Sequence, residues 1–157
     1  MNTLVAYATK YGCTQKCAQE LSKRLKDNVE LVNLKEKSNV DLSKYDRVII
    51  GGSIYIGKVQ KEVTDFCSSN LDELLKKEIG LFICGMDMNM LEKQTNEIFP
   101  EELLKIAKTV KHFGGEFTFK KMNFMEKFII KKITKVTSDK SNINYDNINK
   151  FAMDING

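Results

Sequence analysis

Proline, histidine and long apolar runs are scarce in this sequence, and each scarcity excludes a kind of segment or site. Pro100 is the only proline among 157 residues, which leaves little room for a proline-rich linker. His112 is the only histidine, so a histidine-rich metal site is excluded. No apolar run approaches the ~20 residues that a membrane-spanning helix needs. The length, without a recognisable linker, indicates a single domain over residues 1–157.

The sequence also has too few cysteines for a recognisable disulfide framework. The sequence contains no Cys-x-x-Cys pair, and the spacing of its cysteines matches no usual zinc pattern. The four are Cys13, Cys17, Cys67 and Cys84. We interpret them as reduced thiols of a cytoplasmic protein. Residues 1–8 have no basic segment and are typical of a strand, so we expect no signal peptide.

The charge of the chain is moderately basic. The formal net charge is +4 and the isoelectric point is about 8.8. Such a balance favours acidic partners, namely anionic lipid, nucleic acid or a substrate that carries carboxylates. The excess is too small to choose among them.

Short apolar strands alternate with amphipathic helices along the chain. Strands are predicted at residues 3–8, 29–34, 47–50, 79–84 and, more weakly, 113–119. Helices are predicted at residues 14–27, 59–70, 103–110, 124–136 and 145–155. Residues 137–144 predict a surface loop. The alternation indicates a parallel sheet that is covered by helices on both faces.

The segment between the first strand and the first helix has the features of a phosphate-binding loop. It reads Thr9-Lys10-Tyr11-Gly12-Cys13-Thr14. Ligands of open α/β sheets bind beyond the carboxyl ends of the strands, where a helix N-terminus offers N–H groups and a positive dipole end. Thr9 and Thr14 add hydroxyl groups, and Gly12 lets the backbone approach an oxyanion closely. The alternative is that Thr14 only caps the helix.

Three better-known loops do not fit this segment. A P-loop requires Gly-Lys-Ser/Thr, and a dinucleotide site requires Gly-x-Gly-x-x-Gly. A response-regulator receiver domain requires acidic side chains at the ends of the first and third strands to hold magnesium. Those ends carry Thr9 and Gly51-Gly52-Ser53 instead.

Two more loops are expected at the same edge of the sheet. They read Gly51-Gly52-Ser53-Ile54-Tyr55-Ile56-Gly57 and Cys84-Gly85-Met86-Asp87-Met88-Asn89. A flat aromatic ring such as a flavin needs apolar surfaces on both faces and backbone amides at its rim, and both loops offer these. Tyr55 is a candidate for stacking on the ring, or else a partly exposed loop tyrosine. Met86 and Met90 are candidates for the ring edge, or else ordinary packing residues.

The three loops resemble those of the flavodoxin family, and the resemblance covers residues 1 to about 155. Thr9-x-Tyr11-Gly12-x-Thr14 is similar to the phosphate-binding loop of that family. The resemblance implies an α/β, flavodoxin-like doubly wound fold with a five-stranded parallel sheet in the order 2-1-3-4-5. It implies FMN as the cofactor and no nucleic-acid partner. The implied cofactor-binding residues are Thr9, Lys10, Tyr11, Gly12, Cys13, Thr14, Ser53, Ile54, Tyr55, Ile56, Gly57, Cys84, Gly85, Met86, Asp87 and Asn89.

Within that family, residues 45–54, 124–133 and 147–152 resemble the branch of menaquinone-dependent protoporphyrinogen IX dehydrogenases. The resemblance implies two-electron oxidation of a porphyrinogen in haem biosynthesis, with a quinone as acceptor. The branch usually has a longer, more basic loop after the fourth strand, whereas Cys84 to Pro100 is short and carries acidic residues. That difference favours the alternative of an electron carrier that passes electrons between partner proteins. No residue stands out as a catalytic acid or base.

Residues 120–136 combine basic and apolar character. They contain six lysines against Glu126 alone, and apolar residues recur among them at helical spacing. The first interpretation is an amphipathic helix that covers the sheet with its lysines toward water. The second adds a contact with anionic lipid or substrate carboxylates, made through Ile130. The second interpretation places a cytoplasmic protein at the inner face of the cell membrane.

Overall fold

A computed structural model of the chain describes residues 1–55, 57–86, 88–117, 123–134 and 140–157. The strands are β1 (Asn2–Tyr7), β2 (Asn28–Asn33), β3 (Arg47–Ser53), β4 (Glu78–Cys84), β5 (Thr109–His112), β6 (Gly114–Phe117) and β7 (Lys140–Ile143). The helices are α1 (Cys13–Ser22), α2 (Lys61–Ser69), α3 (Leu71–Leu74), α4 (Met88–Ile98), α5 (Glu101–Ile106), α6 (Phe124–Thr134) and α7 (Tyr145–Asn156).

Five strands form one parallel sheet in the order β2-β1-β3-β4-β5. The predicted fold class and strand order are confirmed. The buried strands read as near-continuous apolar runs because both faces of the sheet are covered, as in other parallel sheets. In β3, for example, Val48, Ile49 and Ile50 are fully buried although they alternate between the two faces.

Each face of the sheet buries its own apolar cluster. One cluster packs Val48 and Ile50 of β3 against side chains of α2, α3 and α5. The other packs Ile49 and Phe82 against α1 and α7. The predicted placement of helices on both faces is therefore confirmed.

The fifth strand lies earlier in the chain than predicted. β5 covers Thr109–His112, where the sequence predicts the end of a helix over 103–110. Residues 114–117, part of the predicted fifth strand, form β6, which pairs antiparallel with β7. β7 in turn falls within the predicted loop 137–144, and residues 118–119 lie outside the described part of the chain. The β6–β7 pairing joins distant segments, so no local pattern indicates it.

Several boundaries also differ from the predictions. The first helix ends at Ser22, five residues before the predicted end. The predicted short loop after β4 contains the helix α4. β3 continues through the Gly51-Gly52-Ser53 segment, which was expected to follow the strand. Glycine is needed at position 51 because a Cβ there would lie 2.0 Å from the Phe82 ring.

Three of the apolar side chains that the first interpretation of residues 120–136 turns toward the sheet face solvent instead. Phe124 is 82% exposed, Met125 is 64% exposed and Phe128 is 57% exposed, whereas Ile129 is half-buried. The side chain of Ile130, and residues 120–122 and 135–136, lie outside the described part of the chain. Within the described ranges, no helix is long and apolar enough to cross a membrane.

Candidate functional site

The carboxyl edge of the sheet brings the three predicted loops together through backbone hydrogen bonds. The N–H of Ala8 donates to the carbonyl of Gly51 over 3.2 Å, and the N–H of Ile54 donates to the carbonyl of Cys84 over 2.8 Å. The loops after β1, β3 and β4 therefore have fixed positions relative to one another.

A cleft of about 440 Å³, its open mouth included, lies between these loops. Ten of the predicted site residues line it: Thr9, Lys10, Tyr11, Cys13, Ser53, Ile54, Tyr55, Cys84, Gly85 and Met86. Two residues that the sequence did not indicate also line it, Gly115 and Glu116.

One end of the cleft is built by the turn that starts α1. Gly12 is the N-cap residue with a φ of 98°, a left-handed conformation that favours glycine. The hydroxyl oxygen of Thr9 accepts a hydrogen bond from the N–H of Gly12 over 2.9 Å, which fixes this turn. No side chain caps α1, and Thr14 lies inside its first turn. The alternative that Thr14 is the cap is therefore wrong.

Thr14 contributes a buried hydroxyl that has no hydrogen-bond partner among the residues that the structure describes. The residue is fully buried, one position beyond the cleft-lining Cys13. A buried polar atom without a partner costs about 1–3 kcal/mol. The first turn of α1 also supplies N–H groups that helix geometry leaves without intrahelical acceptors, at the positive end of the helix dipole. This end of the cleft therefore favours an anion.

The other side of the cleft is aromatic. Tyr11 and Tyr55 meet edge to face, with ring centroids 5.8 Å apart. The Lys10 ammonium lies 3.7 Å from the Tyr55 ring centroid, a cation–π contact. The same ammonium pairs with the Glu126 carboxylate of α6 over 3.2 Å, so α6 lies beside the cleft. Such a wall suits a flat, partly apolar ligand.

β6 completes the cleft. The Gly85 N–H donates to the Gly114 carbonyl over 2.8 Å, which places β6 next to the loop after β4. A Cβ on Gly115 would lie 2.7 Å from the Gly85 carbonyl carbon, so only glycine permits this approach. Glu116 accepts hydrogen bonds from the Lys16 ammonium over 3.0 and 3.2 Å. In the sequence, only the glycine pair at 114–115 marks this segment, and it indicates no more than a possible bend in the predicted strand 113–119.

The remaining predicted residues lie beside the cleft or outside the described chain. Gly57 is exposed, with a φ of 74°, in a turn closed by backbone hydrogen bonds between Tyr55 and Lys58. Gly12 and Thr14 belong to the start of α1 and do not line the cleft. Asn89 lies in α4, but its side chain and that of Met90 are outside the described part, as are Ile56 and Asp87.

Sulfur atoms gather at the base of the cleft. The Sγ atoms of Cys13, Cys17 and Cys84 all lie within 4.8 Å of one another. Hydrogen bonds from the other two thiols lower the pKa of Cys13 below its usual value. Burial instead raises the pKa of Cys67, in the opposite core cluster, to about 12. All four cysteines are free thiols, as predicted.

Comparisons with known proteins match both the sequence and the fold. A model of the flavodoxin domain family matches residues 4–144. Protoporphyrinogen IX dehydrogenase (quinone) from Leishmania major is 23% identical over 144 residues, which cover 85% of this chain and 62% of that protein. This chain therefore spans less than two thirds of that relative.

Solved structures with the same fold include two flavodoxins. A flavodoxin from the domain Archaea superposes with a TM-score of 0.63 at 14% identity. The superposition covers 99% of this chain and 96% of the archaeal chain. Oxidised flavodoxin 2 from Bacillus cereus superposes with a TM-score of 0.60 at 18% identity, covering 98% and 97%. At these identities the likeness shows the fold alone.

Proposed function

Because this chain belongs to the flavodoxin domain family, we propose that it binds FMN and is an oxidoreductase of the protoporphyrinogen IX dehydrogenase (quinone) type. The observation that carries the proposal is the cleft, which joins an anion-favouring helix terminus to an aromatic wall. FMN has a terminal phosphate at one end and a flat ring at the other. The two ends of the cleft match these two parts.

The residues present fit FMN chemically. The first-turn N–H groups of α1 and the unpartnered Thr14 hydroxyl are the donors for the phosphate. The loops at 53–57 and 84–89 flank the ring, with Tyr55 as its stacking partner. Ile56, Asp87 and Asn89 remain in this proposed set. Bound FMN supplies the redox chemistry, and the protein binds it, orients it and limits its access to water.

The choice of substrate rests on the curated relative from Leishmania major, a protoporphyrinogen IX dehydrogenase (quinone). In such a reaction each turnover removes two electrons and two protons from the porphyrinogen and delivers them to the quinone, which becomes a quinol. We assign no catalytic acid or base. The alternative is an electron carrier without a substrate of its own, which the acidic residues of the segment 86–97 favour.

A turnover assay separates the two functions. FMN-loaded protein is mixed with protoporphyrinogen IX and a menaquinone analogue without oxygen, and porphyrin formation is followed by fluorescence. The expected result is porphyrin formation at a rate that depends on both the protein and the quinone. Protein stripped of flavin is the matched control. If the loaded protein is no faster than the stripped protein, the dehydrogenase proposal is wrong and the carrier remains.

We also propose that α6 holds the protein at the inner face of the cell membrane. Phe124, Met125 and Phe128 are all more than half exposed, next to the cleft. Lys127, Lys131 and Lys132 lie on the same helix, against Glu126 as its one acidic residue. Exposed apolar groups beside lysines are typical of helices that lie in the interface of anionic membranes. A quinone dissolved in the bilayer would then meet the cleft directly.

Sedimentation with lipid vesicles tests the membrane contact. The full chain should co-sediment with vesicles rich in anionic lipid and be released by high salt, because surface charges are screened beyond about 8–10 Å. The double variant Phe124→Ser/Phe128→Ser should lose most of this binding. Met153→Ser is the matched control, since Met153 is 71% exposed on α7. Equal binding by both variants, or binding only to neutral vesicles, would contradict a contact through α6.

A further inference from the structure

Three cysteines that are separated in the sequence meet at one point of the fold. Cys13 and Cys17 are one turn apart on α1, and Cys84 ends β4. Their Sγ atoms all lie within 4.8 Å of one another. Cys17 is 0% exposed and Cys84 is 1% exposed, so the sulfur cluster is closed to bulk water. Cys13 and Cys84 also line the cleft, which gives an ion a route to the cluster.

We propose that these three thiols form a binding site for one soft metal cation, held by three thiolate sulfurs. The sequence did not indicate such a site, because the cysteine spacing matches no usual metal motif. The fold creates it by placing one turn of α1 against the end of β4. Two of its ligands, Cys13 and Cys84, also line the proposed FMN cleft, so the site is tested on flavin-free protein.

The distances suit a metal–thiolate centre. A metal–sulfur bond of about 2.3 Å, the value for zinc, would place three sulfurs in a trigonal plane about 4.0 Å apart. The sulfur atoms are already within 4.8 Å of one another, so the longest separation would shorten by less than about 1 Å.

The ligand set selects the kind of ion. Within the described part of the chain, sulfur is the only donor in this cluster. Thiolates prefer soft ions such as Cu⁺ and Cd²⁺, whereas Mg²⁺ and Ca²⁺ prefer oxygen ligands. Each thiol that binds must give its proton to solvent, so binding releases protons and strengthens as pH rises.

The electrostatic surroundings partly offset the negative charge of the thiolates. Cys13 is the first residue of α1, at the positive end of the helix dipole. Lys16 follows within the same turn and brings a cation close to Cys13, but its ion-pair partner Glu116 brings a carboxylate close as well. A bound cation neutralises more of the charge than either of these groups does. Three thiolates buried without a cation would be strongly unfavourable, which couples their deprotonation to metal binding.

Cys67 is the natural comparison, because a buried thiol can also pack simply as a small apolar group. Cys67 lies on α2, is 1% exposed and belongs to the other core cluster. The chain thus supplies a lone buried cysteine as an internal control for the grouped ones.

Titration of reduced, flavin-free full-length protein with Cd²⁺ under anaerobic conditions tests the site. We expect sulfur-to-cadmium charge-transfer absorption in the ultraviolet that saturates at one ion per chain, with release of protons. Cys17→Ala should weaken binding at least about 100-fold, since even outer-shell changes at metal sites cost 10–100-fold. Cys67→Ala should bind as the parent does. The proposal would be overturned if cadmium binding saturates without this absorption, or if Cys17→Ala and Cys67→Ala lose the same amount of cadmium affinity.

A measurement on the unaltered protein keeps the test valid if Cys17→Ala fails to fold. X-ray absorption at the cadmium edge counts the sulfur ligands, and three are expected. Two or fewer would overturn the proposal. Flavin is absent throughout, so failure of FMN binding would not affect the outcome.

Discussion

Thr14 carries a buried hydroxyl for which the described protein offers no hydrogen-bond partner. Such a group costs folding free energy, because it has lost its contacts with water and gained none in return. A phosphate oxygen at the start of α1 would supply the missing partner. Removal of the Thr14 hydroxyl should therefore change two quantities, the stability of the flavin-free protein and its affinity for FMN.

Thr14→Val removes the hydroxyl and keeps the shape of the side chain. We expect the free energy of unfolding of the flavin-free protein to rise by about 1 kcal/mol, because an unsatisfied buried group is removed. FMN binding should weaken about 10-fold or more, since hydrogen bonds to charged groups contribute about 1.5–3 kcal/mol. Urea unfolding and fluorescence titration measure the two effects.

Riboflavin and Thr14→Ser are the controls for this prediction. Riboflavin lacks the phosphate, so its affinity should be the same in the parent and in Thr14→Val. Thr14→Ser keeps the hydroxyl and should retain most of the FMN affinity. An equal loss of affinity for FMN and riboflavin in Thr14→Val would contradict a phosphate contact at this residue.

Ionisation of the Tyr45 hydroxyl should make the free energy of unfolding depend on pH in the alkaline range. Burial and the Glu30 carboxylate, to which its hydroxyl donates a hydrogen bond, raise the pKa of Tyr45 from 10.0 to about 12. A group whose pKa is raised by folding stabilises the protein below its unfolded pKa and loses this effect as pH rises. The Tyr45 contribution should therefore be complete below about pH 10 and disappear by about pH 12.

Tyr45→Phe tests this contribution. Urea unfolding near pH 8 should show a loss of about 1–2 kcal/mol, and the difference from the parent should narrow as pH rises from about 10 toward 12. Tyr145→Phe is the control, because Tyr145 is 47% exposed. If the difference in unfolding free energy between Tyr45→Phe and the parent stays constant across this pH range, the hydroxyl does not titrate as expected.

Among the secondary-structure elements, β6 has the most direct influence on the shape of the cleft. Gly115→Ala adds a Cβ that would lie 2.8 Å from the Gly85 carbonyl oxygen and 3.0 Å from the Met86 N atom. The backbone cannot yield as a flexible side chain would, so β6 and the loop after β4 should separate. We expect a stability loss of about 1–3 kcal/mol together with weaker FMN binding.

Ser141→Ala is the matched control for this substitution. Ser141 is an exposed residue of β7 and pairs with Glu116 of β6. Its substitution therefore alters the same two-stranded sheet without adding an atom near Gly85. Thermal unfolding and FMN titration should leave Ser141→Ala close to the parent. A Gly115→Ala protein with unchanged FMN affinity would show that the position of β6 does not control the cleft.

The sequence predicted the elements whose signals are local. The strands β1, β3 and β4 are apolar and followed by glycine-bearing loops, so the sheet and ten of the twelve cleft residues followed from them. Gly115 and Glu116 were missed because β6 is defined by its pairing with the distant β7. For β5 the sequence predicts a helix end instead, because a four-residue edge strand with a 36% exposed Val110 carries almost no periodic signal.

At the scale of the whole molecule, the amino and carboxyl edges of the sheet have different functions. At the amino edge, the buried Arg47 of β3 pairs with Asp27 and, over 2.8 Å, with Glu78. These ion pairs offset the desolvation of the buried guanidinium, so this edge contributes to stability. The carboxyl edge is formed by the loops after β1, β3 and β4, and the cleft, the thiol cluster and α6 all lie there. This division agrees with the general position of ligand sites in open α/β sheets.

The central claim is that the cleft holds FMN, and the visible absorption spectrum of the freshly purified protein tests it most directly. The account predicts the bands of an oxidised flavin, with one FMN per chain released on denaturation and identified by mass. It also predicts that stripped protein takes up added FMN. A colourless protein that fails to bind added FMN would contradict the claim and leave a doubly wound α/β domain whose ligand is of another kind.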